Sequence, residues 1–243
     1  MARAGNRADT RTRIIGSARE LIPSADVSLP VTAIARHAGV AIQTVYDQFG
    51  SKGGLLIAVL VDIQRSLGLF DSFNHVFRSP DGEEALGRMN AATMTFWDRA
   101  WPYLEFMLRA RRVDPVVAQQ MGFIDRLRRA HYEAIVRQLD AEGRLAAGQS
   151  VDWATSQAFG FSTPTVYEEL VVRGSGSVEA ASESVTRATL AAILEPGKPV
   201  VRDHAPEWAR LEAEAAARAR ADGADPAALS PEWRGARRSP RAD

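Results

Sequence analysis

The stretch VTAIARHAGVAIQTVYDQFGSKGGL, residues 31–55, decides the fold. Val31, Ile34, Ala35 and Ala38 recur at helical spacing, which predicts a short helix over about 31–38 with one buried face. Gly39 then permits a left-handed turn. A further helix over about 42–48 is predicted to bury Ile42, Val45 and Phe49 and to turn Gln43, Thr44 and Asp47 outward, and Gly50 stops it. Upstream, Ile14, Ile15, Ala18, Leu21 and Ile22 form the apolar stripe of a first helix, which Pro23 ends.

Three short helices, the last two joined through a glycine turn, match the helix-turn-helix design, in which the third helix enters the major groove of DNA. Gln43 and Thr44 stand at the start of that helix, where short polar side chains reach base edges, and Gln can bond adenine in two places. Lys52 opens the next helix, where an ammonium group, backbone N–H groups and the positive helix end suit a phosphate. Thr32, in the first turn of the second helix, is placed for the same backbone clamp.

The run Ile34-Ala35-x-x-Ala38-Gly39-Val40, followed by Thr44-Val45-Tyr46-x-x-Phe49-x-Ser51-Lys52-x-x-Leu55, closely resembles the signature of tetracycline-repressor (TetR) family transcriptional regulators. The resemblance is carried by about residues 10–60. It implies an all-α fold: an N-terminal three-helix DNA-binding domain on a larger helical domain for effector binding and dimerisation. It also implies that the Tyr46 hydroxyl contacts phosphate.

Two positions depart from the family pattern. Ala41 stands where a Ser or Thr often caps the third helix, and it cannot accept the N–H bonds of the first turn. Gly53 and Gly54 follow Ser51-Lys52 where acidic residues are common. They read as a cost to the helix, so Gly54→Glu is expected to complete a capping box with Ser51 and to stiffen the junction.

The remaining residues describe a body. Residues 94–132 hold seven of the 18 aromatics with three methionines among them, over twice the proportional share. Met94, Trp97, Trp101, Phe106, Met107, Phe123, His131 and Tyr167 are the candidate lining of an effector pocket for a flat or greasy molecule; Arg109 and Gln119 are further candidate polar selectors. A packed core is the competing reading. The helices over about 151–172 and 178–194 resemble in position the pair that builds the family's dimer. Phe159, Phe161, Val166, Leu170, Val185, Thr189 and Ile193 are the candidate interface residues.

The helix signals also predict one helix from Ser51 to about Asn74, a break before Pro102 and a kink at Pro164. The expected organisation is a flexible basic arm (1–9), a DNA-binding domain (10–52), a ligand-binding and dimerisation domain (53–195) and an Ala/Arg/Pro/Glu-rich tail (196–243), helical over about 207–221 and disordered beyond. Pro-Glu-Trp occurs at 206–208 and 231–233, as a first helical turn whose Trp docks on the body or as a partner motif.

Thirty basic and thirty acidic residues give zero net charge. Through Lys52, however, seven basic residues face four acidic ones, so the reader carries a surplus of three and the body the matching deficit. That asymmetry directs the reader to phosphates and keeps the body away. With no cysteine there is no disulfide or thiolate metal site, and the four histidines show no metal-ligand spacing, so neither metal nor cofactor is expected. No apolar leader or membrane-length run occurs, which predicts a cytoplasmic protein.

The expected function is that of a homodimeric repressor on a pseudo-palindromic double-stranded DNA operator, released by a small, largely apolar or aromatic effector. A helical small-molecule enzyme lacks support, since there is no phosphate loop, nucleophile elbow or cluster of His and carboxylates. A regulator gated by a partner protein is the other alternative.

Overall fold

The computed structural model describes residues 2–25, 29–197 and, towards the C-terminus, 207, 208, 210, 211, 213, 214 and 217; the side chains of 2–6, 70, 71 and 74 are excepted. The described chain is helical, with one isolated antiparallel bridge between Leu145 and Leu194. It forms two compact units whose boundaries do not follow chain order. Among the described residues, the first holds the chain to Leu67 together with Ala100–Gly122, and the second holds Gly68–Arg99 and the residues from Phe123 onward. The expected boundary at residue 52 is thus replaced by an interleaved one.

In the first unit, α1 (Ala2–Leu21) is followed by a 3-10 turn at Ile22–Ser24, then α2 (Val31–His37), α3 (Ile42–Phe49) and α4 (Lys52–Ser66). Because α1 opens at Ala2, the segment expected as a flexible arm is helical. Ile14, Ala18, Ile34, Ala35 and Val45 form the core, as their spacing predicted, and Leu55 joins them; Phe49, expected among them, is half-buried. The turn after α2 is closed by Gly39 N–H on the Arg36 carbonyl (3.1 Å) and Val40 N–H on the Ala35 carbonyl (3.0 Å). This is the paired arrangement that needs a left-handed residue, and Gly39 has φ +63°. Ile42 departs from expectation: it is 43% exposed.

The helix expected to run to Asn74 ends at Ser66, where Gly68 adopts φ +67° and starts α5 (Leu69–Val76). Conversely, α6 (Gly82–Ala110) runs straight past Pro102, where a break was expected. Proline removes one ladder bond, and Ala100, Leu104, Phe106 and Met107 stay buried on either side of it, so apolar burial outweighs the loss.

The second unit contains α5, parts of α6 and of α7 (Pro115–Ala141), α8 (Val151–Phe161), a single turn α9 (Pro164–Tyr167), a π-helical turn (Glu168–Val172) and α10 (Val178–Ile193). The break before Pro164 is complete, since Thr163 caps the new turn by accepting from Val166 N–H. Leu86, Met89, Tyr132, Ile135, Leu139, Ala158 and Ile193 build its core, which Trp208 and Leu211 join. Trp208 donates from Nε1 to the Ser79 carbonyl at 2.9 Å and meets the Phe77 ring edge-on at 5.8 Å, so the first Pro-Glu-Trp tryptophan docks on the body. The second copy and the predicted disorder beyond Asp222 lie outside the described residues.

Candidate nucleic-acid interface and effector site

The exposed face of α3 is polar except at its ends. Gln43 and Asp47 are exposed, Thr44 is half-buried, and Tyr46 is 42% exposed while Val45 beside it is buried. Gln43 Nε2 donates to Asp47 Oδ1 at 2.9 Å, one turn along, which restrains the amide and leaves its carbonyl available. Thr32 is exposed in the first turn of α2. Ala41 provides no side-chain cap to α3, as its residue type predicted.

Two contacts that the sequence reading missed hold this helix. Arg11 of α1 stacks its guanidinium 4.4 Å over the Phe49 ring and donates to the Gln48 carbonyl at 3.0 Å, satisfying an end of α3. Arg19 pairs with Asp62 at 2.7 Å and ties α1 to α4. An arginine spaced along the polar side of an amphipathic helix gives no local sign of which loop it will reach. Arg11 and Arg19 also line a cleft of about 860 Å³ that includes Asp62 and Tyr103.

At the start of α4, Ser51 Oγ accepts from Gly54 N–H at 2.9 Å. Lys52 is half-buried; burial lowers its pKa, and the charge of Asp114 opposes that shift. The two glycines are close approaches rather than defects. A Cβ on Gly54 would lie 2.1 Å from the Phe49 carbonyl oxygen, and one on Gly53 would lie 2.7 Å from both Asp114 Oδ1 and the Val116 Cβ. The expected capping box through Gly54→Glu therefore has no room.

The eight candidate pocket residues are divided between the two units. Trp101, Phe106 and Met107 belong to the first unit, and Met94, Trp97, Phe123, His131 and Tyr167 to the second. Trp97 and Tyr167 meet edge to face at 6.2 Å, and the Tyr167 hydroxyl donates to Asp98 Oδ1 at 3.0 Å; burial and then Asp98 push its pKa up to about 12. His131 packs instead against Phe73 (5.5 Å) and Phe77 (5.3 Å) with Nδ1 unpartnered, and burial pushes its pKa down to about 4. Arg109 pairs with Glu105 on the surface, and Gln119 is exposed. The sequence reading also missed a buried polar chain in which the Tyr132 hydroxyl donates to Asn90 Oδ1 (2.7 Å) and Asn90 Nδ2 to Thr186 Oγ1 (3.0 Å).

Of the candidate interface residues, Val185, Thr189 and Ile193 are buried within this chain, because α10 turns that face onto the core of its own unit. Phe161 and Leu170 are exposed, and Phe159 and Val166 half-buried. Trp153 on α8, absent from the expected set, is 61% exposed.

A glycine-turned helix pair with an exposed polar second helix is the helix-turn-helix arrangement that DNA-binding domains use. Residues 14–59 match the family model described as bacterial regulatory proteins, tetR family. No curated protein matches the sequence.

Among solved structures, the chain is similar to the transcriptional regulator FadR from Bacillus subtilis in complex with stearoyl-CoA, at 20% identity over 75% of this chain and 98% of that one, with a TM-score of 0.62. It is similar to SmeT, the repressor of the Stenotrophomonas maltophilia multidrug efflux pump SmeDEF, at 20% identity over 81% and 96% of the two chains, TM-score 0.57. A TetR/AcrR-family regulator from Thermobifida fusca gives 20% identity over 79% and 100%, TM-score 0.58. At these identities the likeness is one of fold, and the proteins that share it are regulators.

Proposed function

We propose that the protein is a cytoplasmic homodimeric repressor that reads a pseudo-palindromic operator through α3 and releases it when a small molecule binds the body. The observation that carries this reading is the outward polar face of α3 on a core sealed behind Val45. Gln43 and Thr44 read base edges, while Tyr46, Lys52 and Thr32 hold phosphates. Two readers related by a two-fold axis fall about 34–36 Å apart, one DNA turn, which gives a dimer the reach a single reader lacks. The fold neighbours supply a precedent for ligands with a large apolar part, since FadR is solved with stearoyl-CoA and SmeT with triclosan. An effector acts by favouring a state whose readers miss the half-site spacing.

Selection of sites from random duplex DNA, followed by gel shift, tests the reading. Enrichment of an inverted repeat is expected. Tyr46→Phe and Lys52→Ala should each weaken all sites by about tenfold or less, since one phosphate contact contributes about 1 kcal/mol. Gln43→Ala should change the preferred base instead. Failure to enrich any sequence would remove the repressor reading.

A further inference from the structure

In the second unit, α7 brings two guanidinium groups to one ring of α8. Arg128 lies 4.4 Å over the Phe159 centroid and 5.2 Å from that of Trp97, and Arg129 lies 6.0 Å from the same Phe159 ring. The Arg128 side chain is 12% exposed. Its hydrogen-bond partner is the Ser162 carbonyl, and its nearest carboxylate, Asp125, stands 3.9 Å away, beyond hydrogen-bond reach. Arg129 donates to Ser156 Oγ at 2.9 Å. Between them the two cations have one paired carboxylate, Asp125 on Arg128, so two positive charges face a single negative one. Ser162, fully buried beside them, presents its hydroxyl to Tyr132.

Aromatic faces attract a cation without neutralising it. Removing a guanidinium from water costs several kcal/mol unless an opposite charge or a full set of acceptors replaces the hydration. Two like charges over one ring in a low dielectric add to that cost. A packed core has no need of this arrangement, because methionine or leucine fills the same space. An acidic group entering between the two supplies the missing charge and bidentate acceptors for a planar guanidinium. Beside them Trp97 packs edge-on to Tyr167, both rings buried.

We infer that Arg128 and Arg129 are the anion-binding end of the effector site, and that the effector is an organic acid whose carboxylate or equivalent head completes their charge while its apolar part lies along Trp97. The inference rests on the effector reading above and sharpens its ligand class. Arg128 is the anchor, and Arg129 and Ser162 complete the contacts to the head group.

The test uses the full chain, with thermal unfolding measured at matched ionic strength in octanoate, decanoate and benzoate, in the corresponding alcohols, and in sodium sulfate. The acids should raise Tm by roughly 5 °C near saturation. The alcohols and sulfate should raise it by about 1 °C or less, because each lacks half of the recognition. Arg129→Gln should weaken the acid response about tenfold. Arg128→Met should abolish it and leave the ligand-free Tm unchanged or higher, since a desolvated charge is removed.

Loss of ligand-free stability in Arg128→Met with the acid response retained would make the residue structural and overturn the inference. Should that variant not fold, an unchanged acid affinity in Arg129→Gln overturns it alone. Equal action of acids and alcohols also overturns it while leaving an effector site in place, and a shift from sulfate as large as from the acids removes the organic ligand. No response in Tm or in DNA release to any probe removes the effector reading with it.

Discussion

Gly54 shows how a residue can invert its meaning between sequence and structure. Read locally, a glycine in the first turn of a helix costs roughly 1 kcal/mol against alanine. In the fold it is what lets the Phe49 carbonyl approach within 2.1 Å of where a Cβ would stand. Gly54→Ala should therefore destabilise the protein by about 2 kcal/mol or more in urea denaturation, where propensity alone predicts a gain; a stabilised variant would refute the contact. Gly53 answers to Asp114, some sixty residues on, whose Oδ1 also accepts from Val116 and Val117 N–H at 2.9 and 3.2 Å to cap α7. No local pattern could show that partner. His131 shares this blindness, because an apolar stripe marks it as inward but not as wholly dehydrated. Its pKa of about 4 lies below the unfolded value of about 6.5. Above pH 6.5 both states are neutral and the group adds no pH dependence. Between about 6.5 and 4 the unfolded chain takes up the proton and the folded one does not, so stability falls by roughly 3 kcal/mol. His131→Phe should flatten that part of the pH–stability curve; an unchanged slope would assign the dependence to other groups.

Elements were legible where the signals that make them are local. The α2–α3 turn could be read because a single residue, Gly39, supplies the left-handed backbone on which both of its bonds depend. The ends of longer helices could not, since Gly68 breaks a continuous apolar period and Pro102 fails to break another, both decided by burial of neighbouring turns. The uncapped start of α3 was readable from Ala41 alone, and it yields a direct test. Ala41 already has the extended backbone of an N-cap, φ −68° and ψ 147°, so Ala41→Ser needs no rearrangement to accept from the first turn. The substitution should stabilise the protein by about 1 kcal/mol. It should leave the base preference of the operator unchanged, because the cap lies before the reading side chains. Chemical denaturation and a repeated site selection measure the two parts; no gain in stability would mean that water already satisfies those N–H groups.

For the whole molecule, composition showed a chain of zero net charge with a basic head, yet the way the chain divides was out of reach. Residues 100–122 belong with the first unit, which only long-range packing can decide. The same limit explains the interface residues, since period 3.6 marks Val185, Thr189 and Ile193 as apolar without saying whether they meet this chain or a second copy. They meet this chain. What stays outside is Trp153, Phe161, Leu170 and Val172, all exposed on the stretch from α8 to the π-helical turn. Large apolar side chains left in water on one stretch mark an association surface more often than isolated ones do. If two copies pair there, Trp153→Glu and Phe161→Glu place carboxylates into a desolvated interface and should separate them. Light scattering should then report 26.5 kDa in place of twice that mass. Each fold should keep its Tm to within a few degrees, because exposed positions contribute little to a monomer's own core. Operator affinity should fall by about 100-fold or more, since one reader loses the second half-site held at high effective concentration. A variant that stays dimeric, or a wild-type monomer that binds the full operator as tightly, would move the association surface elsewhere.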